Sequence, residues 1–368
     1  MSKKVFISAG EQSGDLHASK LMREMKSLYP DIQFFGIGGE LMQKEGLSSL
    51  ADIREIAVVG FWEVAKKILF FTNLFKKCKE LISKENIKLF IPVDYPGFNI
   101  KLTVFAKSNN ISVVYYIAPQ LWAWGKNRAV KLKDSVDKLL VVFPFEVDYF
   151  KSFNIDATFV GHPLLDNPEF QNDPRPFEKR QNMIAILPGS RVQELKRHLP
   201  IVKNIAYEIK RIKPEIKFGT SLPDIMKKNI LDSDDIFVDW VVFPNSIDLM
   251  NNSIAGIIKA GTTNLEAALC GLPFALFYRT SLISYFFGKN LINLPYLSIV
   301  NILHQQKIIE EFIQSDIDPV KIASHIVNLI ESQEKYTLLQ NKLLETRRMI
   351  GNQGASKRAA EIILNYLL

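Results

Sequence analysis

The chain has 368 residues, 47% of them hydrophobic, which excludes a disordered protein and favours two globular domains. Its two cysteines, Cys78 and Cys270, lie far apart and form no CxxC pair, which argues against a zinc site or a disulfide scaffold and fits a reducing compartment. A formal net charge of +7 suits phosphate, nucleic acid or an anionic membrane as a partner and does not choose among them.

The N-terminus carries two lysines and a very short apolar run that leads directly into Gly10 and Glu11. A signal peptide needs a longer apolar region, and no stretch of the sequence approaches the roughly 18 apolar residues of a membrane span. We therefore expect a cytoplasmic protein.

Short apolar runs alternate with longer segments of helical period. Runs that are apolar throughout are typical of parallel strands, so the alternation predicts an α/β fold with doubly wound sheets. The predicted strands of the first half are residues 5–8, 33–37, 89–93, 113–117 and 139–142. Those of the second half are residues 183–187, 217–219, 236–241, 255–259 and 274–277. From about residue 305 the chain is predicted to be helical.

A stretch rich in proline, asparagine and charge, residues 161–182, interrupts this rhythm and is the predicted linker. We expect domains at residues 1–165 and 166–350, with a helix at about 350–368 that packs back on the first domain or on a partner. Two doubly wound domains facing a cleft would bind ligands at the carboxyl ends of their strands.

Acidic residues follow two predicted strands of the first half. Glu11 and Asp15 follow the first strand, where they would repel a pyrophosphate and more naturally meet hydroxyl groups; the alternative for Ser13 and Asp15 is helix capping. Asp94 directly follows strand 89–93, which makes it a candidate general base, and its alternative role is that of a turn residue.

Two further features of the first half are aromatic. Trp122 and Trp124 lie on the loop after strand 113–117, where they either anchor the core or form a wall of an apolar or sugar site. His162, at the linker, is expected to make a structural hydrogen bond rather than to take part in catalysis.

A basic and aromatic segment, residues 61–88, is predicted to form an amphipathic helix. Such a helix suits an anionic membrane surface, and the alternative is one buried face with a solvated lysine face. The residues expected to contact membrane or acyl chains are Trp62, Phe70, Phe71, Phe75, Lys76 and Lys77.

Two loops of the second half each join a predicted strand to a helix N-terminus, which is a ready anion site. In the loop at residues 187–191, Arg191 could fork onto phosphate oxygens, or it could be a surface arginine beside an N-cap serine. In the loop at residues 260–266, Glu266 suits a ribose diol. Thr263 and Glu266 also have the spacing of a capping box, which needs no ligand.

Six short motifs occur in order along the chain: Ala9-Gly10-Glu11-x-Ser13-Gly14-Asp15, Asp94-x-Pro96-x-Phe98-Asn99, Pro119-x-x-Trp122-Ala123-Trp124, Gly161-His162-Pro163, Leu187-Pro188-Gly189-Ser190-Arg191-x-x-Glu194 and Gly261-Thr262-x-x-x-Glu266. Taken together, they resemble the lipid A disaccharide synthase family over about residues 5–350.

The resemblance implies a GT-B glycosyltransferase fold of two Rossmann-like domains, an N-terminal one for acceptor and lipid and a C-terminal one for the UDP-sugar. It implies an inverting transfer of 2,3-diacylglucosamine from its UDP donor to 2,3-diacylglucosamine 1-phosphate (lipid X). The products would be the β-1,6 tetraacyl disaccharide 1-phosphate of lipid A biosynthesis and UDP. Neither a metal nor another cofactor is expected.

The resemblance also implies residue roles. Asp94 would deprotonate the acceptor 6-hydroxyl, with Glu11 as the rival base. The implied substrate-binding residues are Ser13, Gly14, Asp15, Gly189, Ser190, Arg191, Gly261, Thr262, Thr263, Glu266 and Asn301. Where the family usually has Ser-Leu-Pro-Asn, this chain has Ser298-Ile299-Val300-Asn301, and the missing proline could alter that loop.

The implied partners are UDP-2,3-diacylglucosamine, lipid X and the cytoplasmic surface of the inner membrane, with which the protein would associate peripherally. A homodimer stays open, and nucleic acid is not expected because no nucleic-acid module is recognised. One alternative is another UDP-GlcNAc-using enzyme of the same fold, either a peptidoglycan-type transferase or a 2-epimerase. The other is a non-enzymatic peripheral lipid-binding protein.

Overall fold

The structure is a computed structural model that describes residues 3–53, 64–123, 126–190, 192–222, 240–281 and 294–367. Trp62, Trp124 and Arg191 lie outside the described residues, as does most of the predicted strand at 236–241. The chain divides into two compact units, Met1–Asp166 with Ile350–Leu368, and Asn167–Met349.

Strands and helices alternate through both units. The described strands are β1 Lys4–Ala9, β2 Gln33–Ile37, β3 Leu47–Ala51, β4 Leu89–Val93, β5 Ser112–Tyr116, β6 Lys138–Val141, β7 Ala157–Phe159, β8 Gln181–Leu187, β9 Lys217–Thr220, β10 Trp240–Val242, β11 Ser253–Lys259, β12 Phe274–Tyr278 and β13 Glu311–Ile313. The described α-helices are α1 Gln12–Leu28, α2 Glu40–Lys44, α3 Val64–Lys84, α4 Pro96–Ser108, α5 Lys126–Lys133, α6 Phe145–Lys151, α7 Val192–Ile212, α8 Ser246–Asn252, α9 Thr262–Leu269, α10 Ile299–His304, α11 Pro319–Glu331, α12 Gln333–Met349 and α13 Ala355–Leu364.

The first unit is built on a parallel sheet whose described strands, seven in number, run in the order β3-β2-β1-β4-β5-β6-β7. Its central side chains, such as Phe6, Phe90 and Val113, have no solvent exposure, as expected when helices cover both faces. The winding direction reverses between β1 and β4. Sheets of this kind bind ligands at such a switch point, beyond the carboxyl ends of the strands.

The last helix of the chain, α13, belongs to this first unit. It packs against α1, and its residues Ala359 and Ile363 join the buried cluster formed with β1 and β4. Asp166 fixes the N-terminus of α13, because its carboxylate accepts hydrogen bonds from three backbone N–H groups of residues 354–356 at 2.6–3.1 Å.

The second unit repeats the design. Its described strands are parallel and lie in the order β10-β9-β8-β11-β12-β13, with the reversal between β8 and β11. The predicted α/β fold of two doubly wound sheets is confirmed. The prediction is wrong at β13, which lies in the part of the chain predicted to be helical. Like β3 and β7, which the sequence pattern also missed, β13 is a short edge strand with no need to be apolar on both faces.

Candidate active site

Glu11 and Asp94 lie at the switch point of the first sheet. Strands β1 and β4 pair in parallel up to their last residues, so the residues that follow them meet at one edge. Gly10 permits this approach: a Cβ there would stand 2.3 Å from Cγ of Tyr95, so the tyrosine ring can lie against the turn only because residue 10 is glycine.

The backbone at Asp94 has an uncommon conformation that its neighbours hold in place. The φ angles of Asp94 and Tyr95 are +45° and +53°, in the left-handed region that residues other than glycine seldom enter and that is enriched at functional sites. The carbonyl oxygen of Asp94 accepts hydrogen bonds from Asn99 Nδ2 at 2.8 Å and Tyr115 Oη at 2.6 Å. Asn99 is buried and in turn accepts a hydrogen bond from Ser8 Oγ. These contacts fix the direction in which Asp94 leaves the strand.

The carboxyl group of Asp94 has a perturbed proton affinity. Burial raises its pKa to about 6, with a further contribution from the negative charge of Glu11, while the N–H of Tyr95 opposes the shift by hydrogen bonding. A base whose pKa lies close to the working pH combines a large ionised fraction with a strong drive to accept a proton. The site is therefore suited to deprotonate a hydroxyl group.

A second buried carboxyl group, Glu146, lies at the same edge of the sheet. It accepts hydrogen bonds from Trp122 Nε1 at 2.8 Å and from the N–H groups of residues 142–143 at 3.1 and 3.0 Å. Burial raises the pKa of Glu146 to about 7, the hydrogen bonds oppose this shift, and the charge of Asp94 adds to it. Glu146 therefore anchors the Trp122 indole, whose ring meets that of Phe145 edge-on with centroids 5.0 Å apart. None of the motifs recognised in the sequence contains Glu146, so its role becomes visible only in the structure.

His162 lies in a buried aromatic group near the same edge. Its ring centroid is 6.2 Å from that of His17 and 5.3 Å from that of Phe143. Its Nδ1 accepts a hydrogen bond from the N–H of Leu164 at 3.2 Å, which is the structural hydrogen bond expected from the sequence. Burial lowers the pKa of His162 well below its ordinary value and that of His17 to about 4, so both rings are neutral at neutral pH.

The residues Ser13, Gly14 and Asp15 form the first turn of α1. Glu11 occupies the N-cap position of α1 and no side chain caps the helix, so the capping alternative does not hold for this helix. The carboxylate of Asp15 instead holds α2, accepting hydrogen bonds from N–H groups within residues 39–42 at 2.8–3.1 Å, and the residue is 4% exposed. Asp15 therefore has a capping role for a different helix, and its expected contact with substrate stays a prediction.

The aromatic residues of α3 connect the core with the Asp94 loop. Phe70, Phe71 and Phe75 are partly buried and pack against the core of the first unit. The rings of Phe71 and Phe75 lie 6.2 and 5.8 Å from that of Phe98, and Phe98 lies 6.2 Å from Tyr95. An apolar path of aromatic rings thus leads from α3 to the residue next to Asp94.

Other residues of α3 are exposed, and they are both apolar and basic. Ile68 and Leu69 are 61% and 65% exposed, which is unusual for large apolar side chains. Lys76 and Lys77 are exposed as well, and Leu69 and Lys76, seven residues apart, share one face of the helix. The helix therefore combines a buried face with an exposed face of the composition that favours an anionic lipid surface.

The second sheet carries two glycine-containing loops at its switch point. Leu187 at the end of β8 pairs with Ile258 of β11, so the loops that follow these strands are neighbours. Gly189 has φ +126°, and a Cβ there would stand 2.6 Å from Oε2 of Glu194, so this position requires glycine. Ser190 and Thr262 are exposed on the two loops, and Thr263 is partly exposed.

An ion pair joins two elements that flank these loops. Lys259, the last residue of β11, lies with its Nζ 2.9 Å from Glu194 Oε1 on α7. The same Nζ is 5.7 Å from the centroid of the Tyr278 ring. The sequence alone predicts no role for Lys259, because a lysine at a strand end is not specific to any function.

The helix α9 has no capping box. Its N-cap residue is Gly261, without a side-chain cap, so the capping alternative for Thr263 and Glu266 is wrong. The carboxyl group of Glu266 lies within 3.5 Å of Ser246 Oγ. Burial raises the pKa of Glu266 to about 7, the Ser246 hydroxyl opposes the shift, and Glu169 adds to it. The side chain of Glu266 therefore does not cap α9.

Two other polar residues of the second unit are committed to its backbone. Asn301 is buried, donates to the carbonyl of Ile309 at 2.8 Å and to Glu311 at 2.7 Å, and accepts from two N–H groups of residues 308–309. With valine at 300 in place of the family's proline, the N–H of Val300 donates to the capping Ser298 hydroxyl at 3.2 Å. Asn301 thus holds the segment before β13, and its contact with substrate stays a prediction.

His198 contacts the backbone of the loop that contains Gly189. Its Nδ1 lies 2.6 Å from the carbonyl oxygen of Pro188, and its Nε2 lies 2.8 Å from that of Arg279. The residue is 1% exposed. It therefore ties the loop after β8 to the end of β12, two strands away in the sheet.

None of the helices that the structure describes is long and apolar enough to cross a bilayer. Within the described ranges, no group of three or more histidine, cysteine, aspartate or glutamate side chains is placed to hold a metal ion.

Sequence comparisons match nearly the whole chain. The sequence model of one family, described as lipid-A-disaccharide synthetase, matches residues 5–365. The lipid-A-disaccharide synthase of Persephonella marina is 34% identical over 98% of this chain and 98% of its own length. That of Trichlorobacter lovleyi is 33% identical over 99% of this chain and 98% of its own length.

Solved structures with the same fold are more distant in sequence. MurG of Acinetobacter baumannii superposes with a TM-score of 0.58 at 14% identity, covering 99% of this chain and 100% of that one. UDP-GlcNAc 2-epimerase from Neisseria meningitidis, solved bound to UDP-GlcNAc, superposes with a TM-score of 0.61 at 13% identity and covers 99% of both chains. At such low identity these likenesses show the GT-B fold and not the reaction.

Proposed function

This chain belongs to the lipid-A-disaccharide synthetase family and is a glycosyltransferase, and from that premise we propose that it joins two acylated glucosamines. The donor is UDP-2,3-diacylglucosamine and the acceptor is 2,3-diacylglucosamine 1-phosphate. The products are the β-1,6 tetraacyl disaccharide 1-phosphate and UDP. The observation that carries the proposal is Asp94, which is held by its backbone at the switch point of the first sheet with its pKa raised to about 6.

In the proposed reaction Asp94 accepts the proton of the acceptor 6-hydroxyl. The hydroxyl oxygen forms a bond to the anomeric carbon of the donor while the bond from that carbon to the UDP oxygen breaks, and UDP leaves with the electron pair. Attack opposite the leaving group inverts the anomeric configuration. Glu11 is the rival base. The negative charge of Glu11 favours the protonated form of Asp94, which is the form that results when Asp94 accepts the proton.

The second unit binds UDP in this proposal. The loop with Gly189 and Ser190 and the N-terminus of α9 at Gly261 and Thr262 offer backbone N–H groups to the diphosphate. Glu266 accepts hydrogen bonds from the ribose diol, a role supported by its having no part in capping α9. Arg191, outside the described residues, is assigned to the diphosphate by its motif alone.

The acyl chains and the membrane are assigned to α3. The exposed Ile68 and Leu69 enter the lipid surface, Lys76 and Lys77 meet anionic headgroups, and the rings from Phe71 to Tyr95 guide an acyl chain toward Asp94. The protein then works at the cytoplasmic face of the inner membrane, where both substrates reside.

The test is incubation of the enzyme with both lipid substrates and mass detection of the disaccharide. We expect the product to appear only when donor and acceptor are both present, and to be lost in Asp94→Ala with UDP binding retained. A second arm offers UDP-GlcNAc alone. Inversion at its C2, with no disaccharide from the lipids, would instead establish a 2-epimerase. Vesicle binding without any UDP affinity would contradict the proposed donor site and favour a lipid-binding role.

A further inference from the structure

Lys259 lies between the two loops of the second sheet that follow its central strands. It is the last residue of β11, and its Nζ would be 3.6 Å from a Cβ placed on Gly261. Its ion-pair partner Glu194 lies against Gly189 of the other loop. The ammonium group therefore stands beside Gly261, and the carboxylate paired with it stands beside Gly189.

The surroundings of this ion pair differ from those of a surface salt bridge. The side chains of Lys259 and Glu194 are only 18% and 20% exposed, so the pair is screened less by water than the exposed pairs of this chain. The Tyr278 ring lies 5.7 Å from Nζ and limits where the lysine side chain can go. A cation held in this way has already lost part of its side-chain freedom, so less entropy is lost when it binds an anion.

Accepting the proposed function, we infer that Lys259 is a diphosphate-binding residue of the donor site. Within the described residues its hydrogen bond goes to Glu194, and an ammonium group has three N–H donors, so it can contact phosphate oxygens while Glu194 keeps it in place. When the bond between the anomeric carbon and UDP breaks, negative charge grows on the leaving oxygen. A fixed cation at this place stabilises that charge more strongly than it stabilises the bound donor.

The experiment compares UDP with uridine, which lacks the diphosphate. UDP binding is measured by isothermal titration calorimetry and uridine binding by saturation-transfer NMR, on the full chain and without lipid substrates. The variant is Lys259→Met, which keeps the length of the side chain. The matched control is Lys217→Met, the same change at the exposed amino end of β9 in the same sheet.

We expect Lys259→Met to weaken UDP about tenfold or more, since a hydrogen bond to a charged group is lost, and to leave uridine unchanged. Lys217→Met should match the unaltered protein for both ligands. Unchanged UDP affinity in Lys259→Met, or an equal loss for UDP and uridine, overturns the inference and leaves the proposed function standing. Absence of UDP binding in the unaltered protein overturns the proposed function and this inference with it.

A second variant separates binding from folding. Lys259→Met removes the cation that pairs with the partly buried Glu194, so the double variant Lys259→Met/Glu194→Gln removes both charges of this ion pair together. It should recover any thermal stability lost by the single variant and still bind UDP about tenfold more weakly. Recovery of UDP affinity in the double variant would show that Lys259 serves only to neutralise Glu194, and would overturn the inference.

Discussion

Asp94 and Glu11 follow two hydrogen-bonded parallel strands, β4 and β1, and the charge of Glu11 adds to burial in raising the pKa of Asp94 to about 6. The Tyr95 ring packs at Gly10, next to Glu11, and this contact keeps the two loops together. We therefore expect distinct roles for the two carboxyl groups. Asp94, the more buried one, acts as the base, and the negative charge of Glu11, the more exposed one, helps to raise the pKa of Asp94.

Replacing Asp94 with asparagine keeps the size of the side chain and removes its ability to accept a proton. We expect kcat to fall about 10²–10⁴-fold, the usual contribution of a general base. UDP affinity should stay the same, because the proposed UDP site belongs to the other unit. Steady-state kinetics with both lipid substrates and calorimetry with UDP check the two expectations, and a kcat within a few-fold of normal would remove Asp94 from the base role.

The pH profile tests the influence of Glu11. Since the base must be ionised, kcat/KM should fall as pH decreases through about 6, the raised pKa of Asp94. Glu11→Gln removes the second cause of that elevation, so the pKa of Asp94 decreases and the acidic limb moves to lower pH. The maximal rate should be largely kept. If Glu11→Gln abolishes turnover at every pH, Glu11 is the base and the roles are reversed.

Glu266 can be tested through the ribose hydroxyls. At a pH about one unit above the raised pKa of about 7, where most of Glu266 is ionised, Glu266→Gln should weaken UDP about tenfold, since a hydrogen bond to a charged group becomes a neutral one. The same change should leave 2′,3′-dideoxy-UDP binding unaltered, because that ligand has no diol to donate. Calorimetry with the two nucleotides provides the comparison, and equal losses for both would place Glu266 elsewhere than at the ribose.

The exposed apolar residues of α3 can be tested on vesicles. The double change Ile68→Glu and Leu69→Glu should lower binding to anionic vesicles at least about tenfold, because two apolar side chains no longer enter the lipid. UDP affinity should not change. The matched control is Leu338→Glu, which alters a side chain of the second unit that is 63% exposed. Co-sedimentation that falls equally in the control would argue against a specific role for α3.

How far the sequence predicts this protein depends on the distance over which each residue acts. Strands such as β4 and β11 are visible as apolar runs, and topology then places Asp94 and the Gly261 loop at the strand ends. The role of Asp15 is harder to predict, since the N–H groups that donate to its carboxylate lie 24–27 residues further along the chain. Asn301 raises the same difficulty, because an asparagine that binds backbone looks like one that binds substrate.

Pairwise contacts are harder still to predict. No motif links Lys259 to Glu194, which is 65 residues away, and no motif indicates that Glu146 holds Trp122. Short edge strands such as β13 lack the continuous apolar pattern of a central strand that is buried on both faces of the sheet. Such features depend on residues that come together only in the folded protein, so no short stretch of the sequence indicates them.

The packing of α13 on α1 affects the order in which the protein can be made. Residues 350–367 complete the core of the first unit, and they follow the whole of the second unit in the chain. During translation the ribosome therefore synthesises β1–β7 long before the helix that covers them. The second unit has its entire sequence available earlier than the first, so the first unit cannot complete its core until residues 350–367 have emerged.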